Sequence, residues 1–214
     1  MMAVEKVFVY GASGHGKVVA DILFARKNSC IVGFIDDRVE LRGTTILGLP
    51  VCGNGEWLRQ EAGKMRVTVA LGIGDNVTRQ KVAEKCIVWG AELATLVHPN
   101  ASVSASAQLG TGTVVMAQAA INPGAKIGKG VVVNTAAVVD HDVEIGDFAH
   151  VAPNAAMGGA SRLGTLSQLS MGAVIIQCVT VGERTVVGAG AVVVRTLPDG
   201  VVALGVPARI LRNS

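Results

Sequence analysis

The chain has 214 residues, enough for one large domain or two small ones with a sizeable core. Half of them are hydrophobic but only 3% are aromatic, and 27 are glycine, so the core is expected to be thin repeated layers of Val, Ile, Leu and Ala joined by tight turns. The net charge of +3, without any Lys/Arg cluster interleaved with aromatics, excludes a nucleic-acid surface, and no apolar run approaches the about 20 residues of a membrane span.

In chain order, Val7–Tyr10 reads as a strand that runs into Gly11-Ala12-Ser13-Gly14-His15-Gly16, a glycine loop rather than a secretory leader. A helix is expected from about His15 to Lys27, then a strand at Ile31–Ile35, a turn-rich stretch through Leu49-Pro50 and a short helix near Glu56–Ala62. A strand at Val67–Leu71, a helix from about Asn76 to Trp89 and a strand near Leu93–Val97 follow. This alternation predicts an α/β domain with a small, mostly parallel sheet over residues 1–98, ending at His98-Pro99-Asn100, where proline interrupts regular pairing. Cys30, Cys52, Cys86 and Cys178 lie far apart with no CxxC pair, as for reduced cytoplasmic thiols that fill strands or core.

From residue 99 the period becomes six. Stepping by six from Val103 through Val115, Ile127, Val139, Val151, Leu163, Ile175 and Val187 to Val193 meets an aliphatic residue at every one of sixteen positions, and two residues before each stands a small or β-branched one. That pattern predicts a parallel β-helix over 99–214, with three short strands and 18 residues per coil and coils about 4.8 Å apart. The outward columns sort into three faces. Gln108, Lys126, Glu144, Arg162 and Thr180 form a wet one. Ala120, Val138, Ala156, Val174 and Val192 form a second, and Val114, Val132, His150, Gln168 and Val186 a third. Two largely apolar faces call for cover, and a homotrimer supplies it.

Chemistry concentrates at two places. In the first domain, backbone N–H groups of Gly11, Ser13, Gly14, His15 and Gly16 are able to cradle a phosphate at a helix N-terminus, although the GxxGxG spacing equally suits a plain strand-to-helix turn. Asp36-Asp37 end the next strand, where a ribose or base edge would lie, and Gly72 through Asn76, with Arg79 beyond, end a third, so three strand ends converge on one crevice. In the repeats, His141 falls at a coil corner, two residues past the inward Val139, flanked by Asp140 and Asp142; carboxylates so placed raise the proton affinity of an imidazole, as a general base requires. His150 interrupts a valine column, where a polar group needs a hydrogen-bond partner.

The repeats, the Gly11–Gly16 loop, Asp36-Asp37, His141-Asp142, Phe148-Ala149-His150-Val151 and the closing Gly205-Val206-Pro207-Ala208 together resemble one branch of the hexapeptide-repeat acyltransferases, over nearly the whole chain. That branch acetylates bacterial nucleotide-linked amino sugars destined for surface polysaccharide, or sialic acid in some members. The resemblance implies a left-handed coil, a nucleotide-sugar held by the α/β domain, and acetyl-CoA in the groove between neighbouring β-helices. It also implies His141 as general base with Asp142 orienting it, Asn134 at the substrate, and His150, Gly159, Gly205, Pro207 and Ala208 around the cofactor. The Gly159 N–H would meet the thioester oxygen. The family more often has Glu after this His, so the shorter Asp142 puts the reach of that contact in question. No metal is expected, since a metal-dependent β-helix enzyme needs three clustered histidines and the repeats offer two. O-acetylation of a sialic acid and a non-catalytic nucleotide-binding scaffold stand as the alternatives.

Overall fold

The computed structural model describes residues 5–26 and 29–213. The chain divides into two compact units, Met1–Pro99 and Asn100–Ser214.

The first unit contains β1 (Glu5–Tyr10), α1 (Gly14–Ala25), β2 (Ser29–Ile35), β3 (Thr45–Ile46), β4 (Leu49–Gly53), α2 (Gly55–Ala62), β5 (Thr68–Leu71), α3 (Asn76–Val88), β6 (Glu92–Leu93) and β7 (Leu96–Val97). Its sheet runs β3-β4-β2-β1-β5-β6, parallel except for the β3–β4 pair. Central β1 and β5 bury Val7, Val9, Val69, Ala70 and Leu71, and α1 covers them with Val19, Ile22 and Leu23. The expected end of α1 at Lys27 lies outside the described residues. The stretch read as turn-rich around Leu49-Pro50 is instead a hairpin: Leu47 and Gly48, both at positive φ, form its two-residue turn, and Val51 of β4 pairs with Phe34 of β2.

The second unit is a left-handed parallel β-helix of two-residue strands, each stacked in register on the strand 18 residues earlier. From Val115 to Val193 every sixth residue is buried, whereas Val103 and Leu109 in the first coil are half-buried. Full burial of each such aliphatic contributes about 1.5–3 kcal/mol. The wet face carries an ion-pair ladder, with Glu144 reaching Lys126 at 3.8 Å and Arg162 at 3.3 Å. The trough of about 610 Å³ along it contains none of the residues singled out for chemistry.

The apolar second face is open, with Val138 41% exposed. The third face departs from expectation: Val114 and Val132 are fully buried within the single chain, so its lower coils need no second copy to cover them. Past the repeats, Val201–Leu204 pairs with Val186–Val187 and then antiparallel with Arg209–Asn213. The expected Gly205–Ala208 turn joins these two strands and is pinned to the last strand of the second face, where Ala208 N–H donates to the Val192 carbonyl at 2.8 Å and Val192 N–H to Gly205 at 3.0 Å.

Candidate active site

In the first unit the strand ends form a cleft of about 360 Å³ whose walls include Gly11, Ser13, Asp36, Asp37, Gly74 and Thr78. The glycines are there because backbone packs on backbone. A Cβ on Gly72 would lie 2.9 Å from the Gly16 Cα, and Gly11 sits at φ +107. Ser13 is the N-cap residue of α1, yet its hydroxyl makes no cap bond, and Ser13 and Gly14 are exposed at the loop crest. A helix N-terminus exposed in such a place suits an anion.

The two aspartates have different duties. Asp36 is buried; its carboxylate accepts the Ala12 N–H at 2.8 Å and both Nε and Nη2 of Arg38 at 2.9 Å. Burial works to raise its pKa, but these hydrogen bonds outweigh it and the net shift is downward. Asp36 therefore ties the glycine loop to β2 as a carboxylate. Asp37 is exposed and accepts from the Tyr10 hydroxyl at 2.9 Å and the Gly55 N–H at 2.8 Å, so it faces the cleft preorganised. His15, tucked beside Gly74, has its pKa pushed down to about 4, chiefly by burial and then by the charge of Arg79.

Arg79 and Asn76 are not in the crevice. Arg79 is fully buried; its Nη1 donates to the carbonyls of Ile73 and Gly74 at 3.1 and 3.0 Å, and its Nη2 to Asn76 Oδ1 at 2.9 Å. The guanidinium braces the loop after β5 from beneath, because those carbonyls have no ladder partner. Asp75, within the Gly72–Asn76 segment, lines the cleft together with Tyr10, Arg38 and Thr78, which the sequence did not single out.

In the β-helix the His141 corner forms because Asp142 adopts φ +58, with its N–H donating to Pro123 O at 3.0 Å. That left-handed step turns the Asp142 carboxylate back on its neighbour: the His141 Nδ1–H donates to Oδ2 at 2.9 Å, which settles the reach of the shorter side chain. Since a carboxylate only accepts, Nε2 of the neutral ring is left with its lone pair. The hydrogen bond to Asp142, then the charge of Asp140, hold the His141 pKa above the usual imidazole range.

One coil above, Ala160 N–H donates to the His141 carbonyl at 2.9 Å, and a Cβ on Gly159 would lie 2.5 Å from His141 Nε2. Glycine at 159 makes room for the imidazole. Nearby, the Asp140 carboxyl is held below its usual range, first by the Asn122 side chain and then by the His141 backbone N–H, with the Gly159 N–H a smaller contributor.

At a different corner, Asn134 Nδ2 donates to His150 Nε2 at 3.0 Å, its amide oriented by the Thr135 N–H on Oδ1 at 2.8 Å. The polar residue in the valine column thus has its partner in the coil below. Among the described residues no group of three or more His, Cys, Asp or Glu is placed to hold a metal ion, and no helix is long and apolar enough to cross a membrane.

Residues 6–86 match the PglD N-terminal domain. The UDP-N-acetylbacillosamine N-acetyltransferase of Bacillus subtilis (strain 168) is 34% identical over 121 residues, 53% of this chain and 52% of that protein. The GDP-perosamine N-acetyltransferase of Escherichia coli O157:H7 is 30% identical over 112 residues, 50% of this chain and 49% of that one, so the matches span about half of these curated relatives. The crystal structure of PerB from Caulobacter crescentus, in complex with CoA and GDP-perosamine, superposes with a TM-score of 0.91 at 40% identity, covering 97% of this chain and 98% of PerB. Both units, their order and the repeat pattern are accounted for by that last match, and the chain belongs to the hexapeptide-repeat N-acetyltransferases of nucleotide-linked amino sugars.

Proposed function

We propose that the protein transfers acetyl from acetyl-CoA to the amine of a nucleotide-linked amino sugar, with His141 as general base. The observation that carries this is the His141 imidazole itself, held through Nδ1 by Asp142 at 2.9 Å and seated against Gly159 with Nε2 able to accept a proton. A neutral amine needs no covalent helper. Its nitrogen attacks the thioester carbon, His141 Nε2 takes the proton the nitrogen sheds, and the C–S bond breaks; the proton passes to the departing thiolate, so free CoA thiol leaves.

In this reading the first-unit cleft takes the nucleotide, with phosphate over Ser13 and Gly14 and a ribose or base donor on Asp37. Gly11, His15, Gly16 and Gly72 shape that loop, Asp36 secures it, and Asn76 and Arg79 support it from behind. Asn134 and His150 contact substrate or cofactor. Acetyl-CoA lies between neighbouring β-helices of a homotrimer, with Gly159 beside its thioester and Gly205, Pro207 and Ala208 near its tail. The half-open apolar stripe around Val138 supports the trimer. The full-length likeness to PerB favours GDP-perosamine, attacked at its 4-amino group, for bacterial surface polysaccharide in the cytoplasm. The Bacillus subtilis relative favours a UDP-linked 4-amino sugar as the second reading. Thiol release from acetyl-CoA with each acceptor in turn decides between them: turnover with one and not the other names the nucleotide, and turnover with neither defeats the proposal.

A further inference from the structure

The His141 corner contains a second carboxylate whose contacts differ in kind from those of Asp142. Asp140 is half-buried, and its Oδ1 accepts two hydrogen bonds of 2.8 Å, one from the His141 backbone N–H and one from Asn122 Nδ2 in the coil below. Its own backbone N–H donates to the Met157 carbonyl in the coil above at 3.0 Å. Asp140 therefore links three successive coils at the point where the His141 Cα–Cβ bond leaves the backbone. The Asp142 side chain, by contrast, is 68% exposed and holds only the ring, through a contact that water and salt weaken.

We infer that Asp140, fixed by Asn122, is the positioning residue for His141: it sets the backbone from which the imidazole projects, while Asp142 sets only the rotation of the ring. This rests on His141 being the general base. An exposed ring hinged to a loose corner would sample several places, and a misplacement of about 1 Å costs about 10²-fold in rate. Asp140 also adds negative charge beside the ring. Asp142 shares that duty from the same corner, while the coil below presents Pro123 and Gly124 there and the coil above Gly159 and Ala160.

The test is kinetic, on the full chain with acetyl-CoA and the accepted nucleotide-sugar. Asp140→Asn keeps an oxygen for the His141 N–H and removes the charge, so the acidic limb of the kcat profile should move to lower pH with the plateau little changed. Asp140→Ala removes both; the limb should move and the plateau fall by about 10–100-fold, with KM for either substrate within about twofold of wild type. Asn122→Ala should lower kcat in the wild-type background and add nothing to Asp140→Ala. His141→Ala/Asp140→Ala should be no slower than His141→Ala.

An unmoved acidic limb in both Asp140 variants overturns the inference, as does a loss that compounds with His141→Ala. If His141→Ala is inactive while Asp140→Ala is normal, the positioning role fails and the general base stands. If His141→Ala keeps wild-type kcat, both fall. Circular dichroism and melting of Asp140→Asn establish that the coil is intact before any rate is read.

Discussion

Gly159→Ala isolates the seat of the imidazole from everything else in the protein. Gly159 does not occupy the left-handed region, so alanine is tolerated by the backbone there. The added Cβ, however, would lie 2.5 Å from His141 Nε2 and 2.6 Å from Cε1, where ordinary contact begins at 3.4 Å. The ring must withdraw by about 1 Å, and being 60% exposed it has solvent to swing into, at the expense of the 2.9 Å bond from Nδ1 to Asp142. Displacement of that size costs about 10²-fold in kcat. Fold stability should hold or rise by about 0.4–1 kcal/mol, the usual effect of Gly→Ala at a compatible site. Free-thiol detection at saturating substrates reads the first quantity and urea unfolding the second. A folded Gly159→Ala protein with wild-type kcat would refute the claim that the imidazole works from this position.

Four further outcomes follow from the same contacts. Asp37→Ala should raise KM for the nucleotide-sugar and leave that for acetyl-CoA unchanged, measured by varying each substrate; equal losses contradict the division of labour between the units. Arg79→Ala should lower unfolding free energy by about 1–3 kcal/mol, because it strands the Ile73 and Gly74 carbonyls, whereas a phosphate-binding arginine would cost KM alone. His15 is held neutral by burial, so its stabilisation is complete above pH 6.5, the usual imidazole value, and is lost as pH falls toward about 4. That amounts to about 3 kcal/mol, and melting curves of His15→Gln should lack this dependence. Val138→Glu, placed in the open apolar stripe, should convert a trimer to monomer by light scattering; a wild-type monomer with an intact β-helix contradicts the trimer outright.

The repeat domain was legible in the sequence because one physical rule, an inward aliphatic every six residues, repeats without interruption, and register then follows by counting. That counting placed His141 at a corner. It could not place the Asp142 carboxylate, whose 2.9 Å contact depends on φ +58 at a non-glycine residue. Asn134 and His150 were singled out separately, and their mutual bond needed the third dimension. Asn122 was passed over, and Asp140 noted only as a neighbour of His141, because both types are ordinary turn residues; the signal available was their 18-residue separation. Arg79 differs from expectation for a clear reason: position beyond a strand end places it at the crevice, and only its burial reveals that the loop after β5 consumes its donors. Pro50 disguised β4, since proline argues against a strand with neighbours on both sides, and the hairpin closing the chain breaks the period of six that made the rest readable.

The account stands most directly on the rate of thiol release from acetyl-CoA with GDP-perosamine, and with a UDP-linked 4-amino sugar, by wild-type protein and His141→Ala across pH 6–9 (a window set roughly around the ~6.5 of a free imidazole). Turnover that needs the nucleotide-sugar, falls by about 10²–10⁴-fold in His141→Ala and partly recovers as rising pH deprotonates the amine unaided is the predicted result. Wild-type kcat in His141→Ala throughout that range would contradict it.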